Sequence, residues 1–111
     1  MTPNYIVIHT AAVENASFEA VRDYHMNERG WSDIGYHYYI EKDGSIHQGR
    51  DEDEVGAHCR AADMNDKSLG ISFEGHHDHE DWTYEQKDSA LFLIQKLKMK
   101  YNIPKDHIIG H

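Results

Sequence analysis

Ile6, Val7 and Ile8 are three consecutive β-branched residues, and the run they make ends in a histidine, His9. Branching at Cβ suits a pleated surface, and a strand apolar on both sides belongs in the middle of a sheet covered on both faces. A titratable side chain at the carboxyl end of such a strand stands where α/β sheets collect ligands. A hydrogen-bonded core histidine and a ligand both fit this placement, and one histidine alone does not separate them.

The rest of the chain can be read outward from this strand. Residues 10–16 read as a loop, after which Ser17 can cap a helix to about residue 28, with Phe18, Val21 and His25 along one face and Gly30 ending it. Residues 36–41 and 45–48 flank Asp43-Gly44, a two-residue hairpin signal in which glycine accepts the positive φ of a type I′ turn. Residues 50–67 carry mixed charge and little periodicity, so we expect a long loop with one helical turn near residues 55–58. Residues 69–75 alternate apolar with small or polar side chains and predict another strand closed by Gly75, followed by a surface turn over residues 76–81. Thr83 and Gln86 have capping-box spacing, and Ala90, Ile94, Leu97 and Tyr101 follow at helical intervals to Asn102. Pro104 stops that helix, and residues 108–111 begin a further strand that ends in a second histidine, His111. This order predicts a single α/β domain over residues 1–111, with a central mixed sheet, helices packed on it and both chain ends in central strands.

Composition narrows the partners. Eleven Lys and Arg stand against twenty Asp and Glu, a formal charge of −9, which leaves no basic footprint for nucleic acid and disfavours anionic membranes. No apolar segment reaches the length of a membrane span. Ten histidines make the charge rise steeply as pH falls through the imidazole range. The lone Cys59 excludes an intrachain disulfide, and beside His58 it reads as a small, partly buried thiol. The amino terminus enters the first strand without a charged-then-apolar leader, from which we expect synthesis in the cytoplasm. His76, His77 and His79 read as a solvated loop, and Trp31 and Trp82 as aromatic residues bordering the core.

His9 and His111 each follow an apolar strand, and neighbouring parallel strands bring such side chains to one sheet edge, an arrangement that suggests zinc. Taken in order, Ile6-Val7-Ile8-His9-Thr10-Ala11, Gly35-Tyr36-His37-Tyr38-Tyr39-Ile40, Gly49-Arg50-Asp51, Val55-Gly56-Ala57-His58 and Ser68-Leu69-Gly70-Ile71-Ser72 resemble the zinc-dependent N-acetylmuramoyl-L-alanine amidases of the phage-lysozyme and peptidoglycan-recognition-protein family. The resemblance runs from residue 5 to His111 and implies that family's α/β fold. It implies that His9 and His111 are zinc ligands and that Tyr36 stands beside the metal and the developing oxyanion. A phenol suits that place because it donates a hydrogen bond without adding charge. It also implies that His58 lies near the substrate cleft, that peptidoglycan or a muropeptide is the partner, and that the protein acts on the cell wall, through phage-type release or secretion. On His37 the simplest reading is structural. The family's third ligand, a cysteine or aspartate, and its lysine come after the second histidine, where this chain has no residue, and the acidic residue that another branch uses is Ser72 here. We therefore expect hydrolysis of the amide between N-acetylmuramic acid and L-alanine, with a non-catalytic peptidoglycan-binding module or inactive fragment as the alternative. A domain lacking its family's last segment is also expected to self-associate through uncovered sheet and to bind zinc weakly.

Overall fold

A computed structural model describes residues 1–10, 16–58, 61–75 and 82–110. Five strands form one mixed sheet: β1 (Tyr5–Thr10), β2 (Tyr38–Ile40), β3 (Ile46–Gln48), β4 (Ser68–Phe73) and β5 (Ile108–Gly110), in the order β3-β2-β4-β1-β5. β1 pairs parallel with β4 and β5, β2 pairs parallel with β4, and β3 is the antiparallel edge. Two helices, α1 (Phe18–Asn27) and α2 (Tyr84–Tyr101), complete the α/β architecture expected from the strand and helix pattern. The carboxyl-terminal strand corrects one expectation. Among the described residues β5 has a neighbour on one side only, so β1 is internal while β5 is an edge.

Alternation along the strands sorts the two faces. Ile6, Leu69, Ile71, Phe73 and Ile40 are buried against Ala90, Leu93 and Leu97 of α2, with Ile8 and Tyr38 partly buried in the same cluster. Their neighbours in sequence, Val7, His9, Ser68, Gly70, Ser72 and Tyr39, occupy the opposite face, as a period of two requires. That face is covered too, since every residue of β4 is buried. The small side chains of β4 therefore do not mark a wet face. They leave room for rings laid over the sheet.

α2 starts at a complete capping box. Thr83 Oγ1 accepts from Gln86 N at 3.0 Å, and Gln86 Oε1 accepts from Thr83 N at 3.0 Å. Gln86 is 1% exposed, and its Nε2 donates to the carbonyls of Glu74 at 2.9 Å and Ile40 at 3.2 Å. The cap thus ties the helix to the ends of β2 and β4. Asn102 closes α2 in the left-handed region at φ 54°, one residue of backbone reversal before Pro104. Leu93, rather than Ile94, is the most deeply buried residue of the middle turns.

Three local expectations change. The hairpin arms are shorter than read, and the turn is not type I′: only Gly44 of the turn residues has positive φ, at 89°, while Gly44 N donates to Glu41 O and Glu41 N donates to Ser45 O. That pattern is a type I turn followed by a glycine bulge, which places the left-handed residue third. The helical turn expected at 55–58 lies instead at Ala61–Asp66, as a 3-10 helix. The strand expected to reach Gly75 ends at Phe73. The loop over 10–16, apart from Thr10 and Ala16, and the turn over 76–81 lie outside the described residues.

The loop after β3 is anchored at its far side. Glu52 accepts from Lys100 Nζ at 2.6 Å and Tyr101 Oη at 2.5 Å, and from the hydroxyl of Tyr38. Burial pushes this carboxyl up, but those donors outweigh it and hold the group at about 2.

Gln86 makes a sharper test of the fold than the exposed Glu85 beside it. Gln86→Ala removes a cap and leaves two buried carbonyls short of a donor, so we expect a loss of about 2–4 kcal/mol in urea unfolding. Glu85→Ala should stay within about 0.5 kcal/mol.

A candidate functional site at the carboxyl edge of β1

His9 is 5% exposed and lies in register with Ser72 of β4. Three aromatic side chains are gathered on this face of the sheet. The Tyr36 ring is 5.4 Å from His9, the His58 ring is 5.1 Å from it at an interplanar angle of 80°, and His58 Nδ1 is 2.9 Å from His9 Nε2. Residues 9, 36 and 58, read from sequence as one site, are therefore neighbours in space. His111 and Cys59 lie outside the described residues. β5 runs parallel to β1 with Gly110 opposite Ile8.

His58 reaches this position because Gly70 has no side chain. A Cβ at residue 70 would stand 2.5 Å from His58 Cγ, so only glycine admits the ring. Asn65 Oδ1 accepts from His58 N at 3.0 Å, and Ser68 Oγ is 3.3 Å from His58 Nε2. The 3-10 helix and β4 thus hold the histidine from two directions.

Tyr36 is held through its backbone and the loop that follows β3. Tyr36 O accepts from Arg50 N, Gly35 O accepts from Ala57 N, and Arg50 reaches back with Nε to Ile34 O at 2.9 Å and Nη1 to Val55 O at 2.7 Å. Burial raises the pKa of the Tyr36 phenol above its ordinary value, so the group stays protonated. The Ser72 hydroxyl acts in the opposite sense. Ser72 Oγ is buried and makes no hydrogen bond of good geometry among the described residues, so the contact is loose and burial decides. Beside Tyr36 a cleft of about 380 Å³ opens along α1, walled by Ala20, Val21, Tyr24, His25 and Arg29.

Two histidines that the sequence left without a chemical role brace this site. His37 is fully buried. Its Nδ1 accepts from Gly70 N at 3.0 Å and its Nε2–H donates to Glu54 O at 2.7 Å, clipping the loop onto β4. His25 Nδ1 accepts from Gly35 N at 2.9 Å, and its ring lies against Trp31 and Tyr36. Burial lowers both pKa values from the ordinary 6.5, most strongly countered for His37 by the Glu54 carbonyl and reinforced for His25 by Arg29 and Arg50. The structural reading of His37 follows from these bonds. What sequence reasoning missed is His25 and Arg50, whose partners are carbonyl and amide groups that no side-chain pattern announces.

Two outcomes follow from this packing. Both rings bind fewer protons folded than unfolded, so unfolding takes up protons once pH drops below about 6.5 and stability must decline there. Urea unfolding at a series of pH values from 8 to 5 should show that decline, with the His37 ring still neutral by NMR where exposed histidines have charged. Gly70→Ala should cost about 1–3 kcal/mol and shift the His58 ring resonances, since overpacking at a rigid strand forces the ring away.

The sequence profile described as N-acetylmuramoyl-L-alanine amidase, Amidase_2, matches residues 1–111. Among curated proteins the chain is 41% identical to peptidoglycan-recognition protein SC1a of Drosophila melanogaster over 97% of its own length, and 34% identical to the endolysin of Escherichia phage T7 over 86%. It spans 62% of the first of these relatives and 67% of the second. Among solved structures it superposes on the endolysin amidase LysCS of Clostridium intestinale with a TM-score of 0.91 and 39% identity, covering all of this chain and 70% of that one. Drosophila PGRP-LB gives a TM-score of 0.86 at 33% identity, covering all of this chain and 71% of that one. A family match over the whole chain and a fold shared with a solved amidase agree, and the chain belongs to the N-acetylmuramoyl-L-alanine amidase family.

Proposed function

We propose that this chain carries the reaction centre of a zinc-dependent amidase that hydrolyses the amide between N-acetylmuramic acid and L-alanine in peptidoglycan. The observation that carries the reading is the gathering of His9, His58 and the half-buried phenol of Tyr36 at the carboxyl edge of β1, next to an open cleft. Peptidoglycan as the substrate is supported by the family match and by the endolysin and recognition-protein relatives, and action on the cell wall by the phage endolysins.

The donor set suits zinc in kind. His9 is a buried imidazole already hydrogen-bonded through one ring nitrogen, the arrangement that orients a metal-ligating histidine through its other nitrogen. His9 and His111 would hold the metal. Zinc, when bound, supplies a Lewis-acid centre for amide hydrolysis. The work left to the chain is that of Tyr36 and the cleft. The phenol, kept protonated by burial, donates a hydrogen bond to the oxygen that gains charge as the carbonyl is attacked. The apolar wall of α1 receives the substrate beside it and lowers the local dielectric in which that bond acts.

A second reading, binding of peptidoglycan without turnover, is supported by the peptidoglycan-recognition-protein relatives. Zinc-supplemented protein incubated with a muropeptide separates the two. We expect release of the peptide from the lactyl group, lost in His9→Ala and reduced about 10²–10³-fold in Tyr36→Phe, the usual cost of one oxyanion donor. Cleavage that survives chelation contradicts the zinc mechanism. Calorimetric binding without release of peptide would establish the non-catalytic reading.

A further inference from the structure

His58 is joined to more than His9, and the order of its hydrogen bonds has a direction. Ser68, fully buried on β4, has one hydroxyl proton, and its short contact is with the carbonyl oxygen of Met64, which can only accept. The Ser68 proton is therefore spent on Met64. Towards His58 Nε2, 3.3 Å away, the Ser68 oxygen can then only accept, so Nε2 carries the ring proton. A neutral His58 with its proton on Nε2 presents a bare Nδ1. His9 Nε2 lies 2.9 Å from that nitrogen and must donate to it. A neutral His9 with its proton on Nε2 keeps its lone pair on Nδ1.

We propose that Ser68 and His58 are positioning residues that fix the tautomer of His9, so that Nδ1 is the nitrogen offered to a metal ion. The carbonyl of Met64 sets the sense of the whole chain, because it is the one member with no proton to give. Gly70 makes the relay possible by admitting the His58 ring against β4, and Asn65 fixes the His58 backbone. His58 thus acts on the reaction through His9 and in addition to any contact it makes with substrate. The identity of the metal rests on the zinc reading above. The tautomer does not.

Long-range proton–nitrogen NMR of the metal-free 111-residue chain at pH 8, where imidazoles are neutral, reads the tautomers directly. We expect His9 and His58 both with the proton on Nε2. Ser68→Ala should remove the Ser68 oxygen that holds the proton on His58 Nε2 and turn His9 into a mixture of tautomers. Zinc affinity, measured by competition with a chelator, should fall about 10–100-fold in Ser68→Ala and in His58→Leu. His58→Asn should restore most of it, because its Oδ1 stands close to the place of Nδ1 and accepts from His9. A wild-type His9 with its proton on Nδ1 would overturn the proposal, as would a His9 tautomer unchanged in both Ser68→Ala and His58→Leu. Tautomers as assigned in a chain that takes up no zinc would uphold the relay and refute the zinc reading instead.

Discussion

The pairing of β1 on both sides is the constraint from which the site follows. Parallel ladders to β4 and β5 leave no freedom of register, since a slip of one residue would turn Ile6 and Ile8 away from α2 and His9 into the apolar core. With the register set, His9 is placed opposite Ser72 at the carboxyl end of the sheet, on the face away from α2. The apolar burial that stabilises the domain and the polar placement that gives it chemistry are the two sides of one alternation.

The second requirement is space over that face. β4 supplies it by presenting Ser68, Gly70 and Ser72 where a core strand would ordinarily present branched side chains. Two imidazoles fill the space: His37 takes the backbone amide of Gly70, and His58 lies against the Gly70 Cα, their rings 5.7 Å apart. A buried ring nitrogen without a partner would be costly, and the described bonds match donors to acceptors through peptide groups, Ser68 and neighbouring rings. The histidine-rich composition is thus put to unequal uses. His25 and His37 are neutral braces, His47 stacks on Phe18, His107 stacks on Tyr5, and His9 and His58 remain together at the site.

The loop after β3 turns this scaffold into a cleft. It has no regular structure, yet Arg50 and His37 pin it to the segment carrying Tyr36, and Glu52 pins it to the carboxyl end of α2. The ties run from side chain to backbone on one flank and through a charged cluster on the other. A loop held in this way keeps the histidine at its far end within bonding distance of a strand 49 residues earlier in the chain.

What the sequence determined by itself is whatever depends on neighbours along the chain. The β-branched run of β1, the capping box of α2, the Asp-Gly hairpin and the alternation in β4 are local, and each was legible because period and turn chemistry act over a few residues. The placing of His9 and Tyr36 at a site came from several short motifs in register with a known family. Tertiary structure decided what depends on residues far apart. The hairpin turn took a type I form with a glycine bulge, a helical turn moved to Ala61–Asp66, and β5 became an edge. The partners of His25, His37 and Arg50 could not be read at all, because a main-chain amide or carbonyl looks the same at every position of a sequence and becomes a specific partner only when the fold brings it within about 3 Å.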